Sequence, residues 1–192
     1  MLSAPTTHGR LERRISVVGS SGSGKSTMAR AIGFALDLPV IELDAINWQA
    51  GWRDLNSHDP EEFIRRVKAA VAAPAWVVDG NYGRVQPHVL QRATDVVWLD
   101  LPFGLVMRRV VIRSFARSLT RREVWPGTGN VEYWRNWLSG DHPVWWSLTH
   151  FAERRRRYEV VFADPRLKHL TIHRVRTPAQ AQALVAGFGR VP

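Results

Sequence analysis

The chain has 192 residues, 45% hydrophobic and 23% charged, which is enough for one well-cored domain and too apolar for a disordered one. It contains no Cys, which excludes a disulfide framework and any cysteine-ligated zinc or iron–sulfur centre. No apolar run approaches the roughly 20 residues of a membrane-crossing helix, and 27 Lys+Arg against 17 Asp+Glu leave a net charge of +10.

Residues 1–14 read as a loose basic tail with Ser, Pro and Thr, lacking the apolar stretch of a secretory signal, and 15–192 as one domain. Ile15–Gly19 is a short β-rich run ending at Gly. A helix follows over Lys25–Leu36, where Met28, Ala31, Ile32, Ala35 and Leu36 recur every three or four residues. Pro39–Leu43 reads as a second strand. Pro60 opens a helix through Ala72 after the capping signals Ser57 and Asp59. Trp76–Asp79, closed by Gly80, is a third strand and Asp95–Leu99 a fourth. A helix over 103–119, a fifth strand over His169–Val175 and a closing helix over Pro178–Phe188 complete the chain. Strands of about five residues alternating with helices predict an α/β fold, a parallel sheet covered by helices on both faces. Between about 120 and 150 the rhythm breaks in a stretch rich in Trp, with Trp125, Trp134, Trp137, Trp145 and Trp146. That stretch reads as an insertion folding over the sheet edge.

Gly19-Ser20-Ser21-Gly22-Ser23-Gly24-Lys25-Ser26 satisfies G-x-x-x-x-G-K-[ST], with an apolar strand before it and an amphipathic helix after it. Glycines let backbone N–H groups curl around an anion, and the helix N-terminus adds partial positive charge. Lys25 is expected to reach the β- and γ-phosphates of a nucleotide, Ser26 to ligate Mg²⁺ and Thr27 to contact the α-phosphate. The motif establishes phosphate binding rather than a reaction. The chain lacks an Asn-Lys-x-Asp guanine signature and a Leu-Ser-Gly-Gly-Gln run, which argues against a GTPase and an ABC protein.

In open α/β sheets ligands sit beyond the carboxyl ends of the strands. Asp44, Asp79 and Asp100 each follow a predicted strand. Asp44 is placed to meet an acceptor substrate or act as its base, and Asp79 to hold Mg²⁺ through a water. Asp100, before Leu101-Pro102, has the more structural reading. In the polar turn Asp79–Arg84, Asn81 and Tyr82 suit hydrogen bonding to an acceptor and Arg84 suits an anion. Trp48 is a candidate to stack on a base, with core or lid packing an equal alternative.

The basic charge is uneven. Residues 108–157 hold eleven Arg against four acids, a net +7. Arg109, Arg113 and Arg117 share one helical face, which is unfavourable unless something anionic meets it. Phosphoryl transfer needs such cations. Arg154–Arg157 form a second cluster, of which at most two can face a site.

Gly19–Thr27, Leu43-Asp44 with Trp48 and Gly51-Trp52, Val78–Tyr82, and Trp98–Pro102 with Arg109 and Arg113 together resemble the adenylate-kinase-related P-loop proteins, the topology-modulation (FlaR-like) group. The resemblance covers about residues 15–180. It implies the nucleoside-monophosphate-kinase fold, with five parallel strands in order 2-3-1-4-5 and an Arg-bearing lid. The resulting expectation is a cytoplasmic, ATP- and Mg²⁺-dependent kinase of an unidentified small molecule. Lys25 and the loop would hold the triphosphate, Asp44 would meet the acceptor, and Arg109 with Arg113 would neutralise developing charge. The alternative is a nucleic-acid-associated ATPase or regulator, for which the arginines of 108–122 and 154–157 would form a continuous outward patch.

Overall fold

A computed structural model describes residues 13–120, 123–125, 127–131 and 143–189. Its centre is a five-stranded parallel sheet of β1 (Arg14–Gly19), β2 (Val40–Glu42), β5 (Trp76–Asp79), β6 (Asp95–Leu99) and β7 (Thr171–Val175), in the order β2-β5-β1-β6-β7. Counted among themselves these strands run 2-3-1-4-5, the order implied by the resemblance.

The period-two alternation of strand side chains builds two cores. Ile15, Val17, Val77, Val97 and Leu99 face α1 (Lys25–Leu36) and α8 (Pro178–Phe188). Val18, Trp76, Val78, Val96 and Trp98 face the opposite layer. That layer contains α4 (Pro60–Ala70), α5 (Gln86–Arg92) and α7 (Pro143–Phe162). Trp76 is fully buried, and its indole Nε1–H donates to the Val71 carbonyl at 3.1 Å, so no donor is stranded in the core. With both faces covered, the sheet presents its carboxyl-end rim, where β1, β2 and β5 deliver the loops of the site.

Several elements differ from the sequence reading. Arg14 belongs to β1 rather than to a tail, and its backbone N–H donates to Thr94 Oγ1 at 3.1 Å. The second strand ends at Glu42, and Leu43 opens α2 (Leu43–Asn47). A tight hairpin follows, β3 (Trp48–Gln49) and β4 (Arg53–Asp54), and then α3 (Leu55–His58). These pieces are too short to show a period, as is α5. The helix from Pro60 ends at Ala70, with Asp59 capping Glu62 N–H at 3.2 Å.

The expected insertion divides. Residues 123–125 and 127–131 are joined by a bridge between Glu123 and Val131, while the span from Pro143 onward already belongs to α7. Trp134 and Trp137 lie outside the described residues. Among the described residues no helix is long and apolar enough to cross a membrane.

Candidate active site

The phosphate loop spans the end of β1 and the start of α1. Gly22 and Gly24 adopt φ of 78° and 95°, the left-handed region that glycine enters without penalty. Gly22 also has no room for a side chain. A Cβ there would lie 2.4 Å from Val110 Cγ2 and 2.9 Å from the Val106 carbonyl, so α6 (Phe103–Thr120) rests directly on the loop. From α6, Arg109 Nη1 donates to the Ser23 carbonyl at 3.3 Å and Arg113 Nη2 to Ser21 Oγ at 2.8 Å. These two guanidiniums, one helical turn apart, are turned inward onto the loop. Arg108 is exposed.

Lys25 opens α1 and donates from Nζ to the Ser20 carbonyl at 3.0 Å. Burial lowers its pKa to about 8, opposed by the charges of Asp79 and Asp44 and assisted by Arg154 and Arg113. Partly exposed at the cleft wall, this ammonium has Asp79 and Asp44 as its anionic neighbours and would be favoured further by a phosphate. Ser26 and Thr27 are exposed and line the cleft.

Asp79 ends β5 and is only 7% exposed. Burial raises its pKa, opposed by the Ser26 hydroxyl and then by Lys25. Its Oδ1 is buried without a hydrogen-bond partner. A carboxylate and a hydroxyl side by side, both oxygen donors, suit a hard cation such as Mg²⁺. The orphaned Asp79 oxygen gives that cation a point of attachment, so these residues fit the metal that the fold implies.

The opposite end of the cleft is assembled by close approach. Gly80 has φ of 128°, and a Cβ there would lie 2.9 Å from Leu43 Cβ. This contact brings α2 against the end of β5 and Asp44 beside the turn after it. Asp44 lies in the first turn of α2 rather than at a strand end. Its Oδ1 accepts from the Tyr82 hydroxyl at 2.6 Å, and its backbone carbonyl accepts from Trp125 Nε1 at 3.0 Å. Burial and then the charge of Asp44 push the Tyr82 phenol far above its usual range, so it remains a donor.

Asn81 meets the hydroxyl of Tyr158 on α7, a buried phenol raised to about 12 chiefly by burial. Trp48 stacks edge-on against Trp52, ring centres 5.6 Å apart, within the hairpin. Neither Trp48 nor Arg84 lines the cleft, and Arg84 is exposed. The cleft encloses about 830 Å³ between the phosphate loop, Asp44, Asp79, Trp125 and the α8 face at Pro178, Ala181 and Val185.

Some contributors gave no motif. Trp125 reaches the Asp44 carbonyl from a distant segment. Arg154, within the four-Arg run, shares a small recess with Ser20 and Tyr158. A helical wheel of α7 puts Arg154 and Tyr158 on one face, which was the available signal. Arg155 and Arg174 instead hold the buried Asp100 at 3.1 and 2.7 Å, and Arg174 stacks over Trp98 at 4.1 Å. Asp100 thus ties α7 to β6 and β7.

No protein-family model and no curated protein matches the chain. Solved structures do. A shikimate kinase from Acinetobacter baumannii in complex with shikimate aligns at a TM-score of 0.56 and 15% identity, over 95% of this chain and 94% of that one. A shikimate kinase from Aquifex aeolicus aligns at 0.53 and 16%, over 91% and 92%. One from Bacteroides thetaiotaomicron aligns at 0.51 and 14%, over 91% and 95%. At such identities the likeness is one of fold. The chain has the P-loop kinase fold of these shikimate kinases over 91–95% of its length.

Proposed function

We propose that this protein is a cytoplasmic kinase that passes the γ-phosphoryl group of ATP to a hydroxyl of a small molecule bound beside Asp44. The observation that carries the reading is the inward turn of Arg109 and Arg113 onto the phosphate loop, facing a carboxylate across one cleft. A helix face bearing two guanidiniums in a half-buried site is stabilised by an anion between them and Lys25.

In this reading the amides of Gly19–Ser26 and the Lys25 ammonium cradle the triphosphate. Ser26 and Asp79 would hold Mg²⁺, which would supply positive charge against the phosphates. Thr27, exposed on the next residue, reaches the α-phosphate. Asp44 orients the acceptor hydroxyl and takes its proton. Arg109 and Arg113 meet charge developing on the transferred oxygens. Asn81 and Tyr82 shape the acceptor end by orienting Tyr158 and Asp44, rather than by reaching the acceptor themselves. Trp48 braces the hairpin through Trp52, and Arg84 stands outside the cleft. The finer likeness to adenylate-kinase-related, topology-modulation proteins rests on Leu43-Asp44, Trp48 and Asp79–Tyr82.

The test is transfer from [γ-³²P]ATP with Mg²⁺ across nucleosides, nucleoside monophosphates, sugars, polyols and hydroxy acids, with Lys25→Ala as control. Labelling of one acceptor class, lost in the variant, is the expected result. Tight MgATP binding with no labelled acceptor, together with salt-sensitive duplex DNA binding, would replace the kinase by a nucleic-acid-linked ATPase.

A further inference from the structure

The residues around Asp44 come from three separate stretches of chain, and one buried side chain joins two of them. Residues 123–131 close on themselves. Val124 N–H donates to the Asn130 carbonyl at 2.8 Å, Gly127 N–H to Glu123 Oε2 at 2.7 Å, and Thr128 Oγ1 to the Trp125 carbonyl at 2.7 Å. Gly127 and Gly129 take the positive φ this turn requires, 80° and 69°. The turn projects two groups toward the acceptor side. One is the Trp125 indole, on the Asp44 carbonyl. The other is the Asn130 amide, in a residue 1% exposed.

Asn130 uses both ends of its amide on the hairpin. Oδ1 accepts from the Trp52 backbone N–H at 2.8 Å, and Nδ2 donates to the Gln49 carbonyl at 2.9 Å. Trp52 offers that N–H from a left-handed backbone, φ 60°, which a Trp adopts only where its surroundings hold it. The receiving hairpin is continuous with α2, which carries Asp44. The 123–131 turn is therefore attached twice to one acceptor-side unit: to the hairpin through Asn130, and to α2 through Trp125.

We propose that Asn130 is a positioning residue. It fastens the 123–131 turn to the Trp48–Asp54 hairpin so that Trp125 stays seated on Asp44 and closes the acceptor end of the cleft to bulk water. This rests on the kinase reading for what the closed cleft protects: water competes with the acceptor hydroxyl for the γ-phosphoryl group. Only an amide satisfies both partners. A carboxylate at position 130 keeps the acceptor for Trp52 N–H but sets an anionic oxygen against the Gln49 carbonyl.

Two readouts on the intact protein test this. The first needs no nucleotide. In hydrogen exchange, Asn130→Ala and Asn130→Asp should speed exchange of the Trp52 amide and of the Trp125 indole N–H together, by tenfold or more, with β1 and β5 amides unchanged. Acceleration at Trp52 alone would overturn the proposal, because it would show that the Trp125 seat does not depend on Asn130. The second readout is MgATP hydrolysis without acceptor. Asn130→Ala and Trp125→Phe, which keeps an aromatic ring but removes the indole donor, should both raise hydrolysis about tenfold. Exposed Phe34→Ala on α1 should leave it unchanged. Unchanged or slower hydrolysis in both variants, with exchange accelerated, would overturn the water-exclusion role. If the wild type does not bind MgATP, the kinase reading fails while the exchange result still stands or falls by itself.

Discussion

The two ends of the cleft are built differently. The phosphate end is a single contiguous stretch, Gly19–Thr27, whose geometry is imposed by glycines and by the helix it opens. The acceptor end draws Asp44 and Tyr82 from positions 38 apart, and Asp44 and Trp125 from positions 81 apart. A contiguous site can be recognised from its spacing, because its backbone alone makes the binding surface. An assembled site is legible only after the chain has folded. Under the proposed kinase reading the two ends divide the work: one would bind the donor, the other would select and activate the acceptor.

That division can be broken by substitution. The largest effect is expected at the acceptor end. Removing a general base costs about 10²- to 10⁴-fold in rate, so Asp44→Asn should lower kcat for transfer by that factor in steady-state kinetics. At the phosphate end, Lys25→Ala removes charged hydrogen bonds worth about 1.5–3 kcal/mol. MgATP affinity by calorimetry should fall about 10- to 150-fold.

The lowered pKa of Lys25 adds a pH signature. Burial favours neutral lysine above about pH 8, whereas a bound triphosphate would favour the ammonium. Binding at pH 8.5 should therefore take up a proton, and affinity should weaken about tenfold from pH 7 to pH 9. The Lys25→Ala variant should lack both effects.

Smaller changes sharpen the comparison. Gly22→Ala forces a Cβ against α6 from a left-handed backbone, at a cost of about 1–3 kcal/mol in stability. Its melting temperature should fall, with MgATP affinity falling alongside. Tyr82→Phe deletes the hydroxyl that holds Asp44, a loss of about 0.5–1.5 kcal/mol. Transfer should drop severalfold while MgATP affinity stays constant.

The sheet was legible because its strands are short apolar runs bounded by Gly, Pro and Asp, and Trp76–Asp79 and Asp95–Leu99 appear in the structure at the residues expected. Lys25 and Ser26 stand where the loop motif places them, at the start of α1. The inward turn of Arg109 and Arg113 was foreseen because a one-sided Arg row demands an anion. What the sequence did not reveal depends on contacts between distant residues. Tyr82 reads as an acceptor contact but spends its hydroxyl on Asp44. Arg84 reads as an anion contact but stands exposed and does not line the cleft. Asp100 reads as structural, and its ion pairs with Arg155 and Arg174 place it there. Asn130 carried no signal, because a lone Asn in a Gly-rich stretch looks like any turn residue.

The claim that the two ends act separately is tested most directly by the MgATP affinity of Asp44→Asn at pH 6, far enough below about 8 to keep Lys25 protonated once the Asp44 charge that raises its pKa is removed. With the acceptor carboxylate gone and the phosphate loop intact, the account predicts affinity equal to or slightly tighter than wild type, since one negative charge near the triphosphate has been removed. A tenfold or greater loss would contradict it, and would make Asp44 part of the donor site.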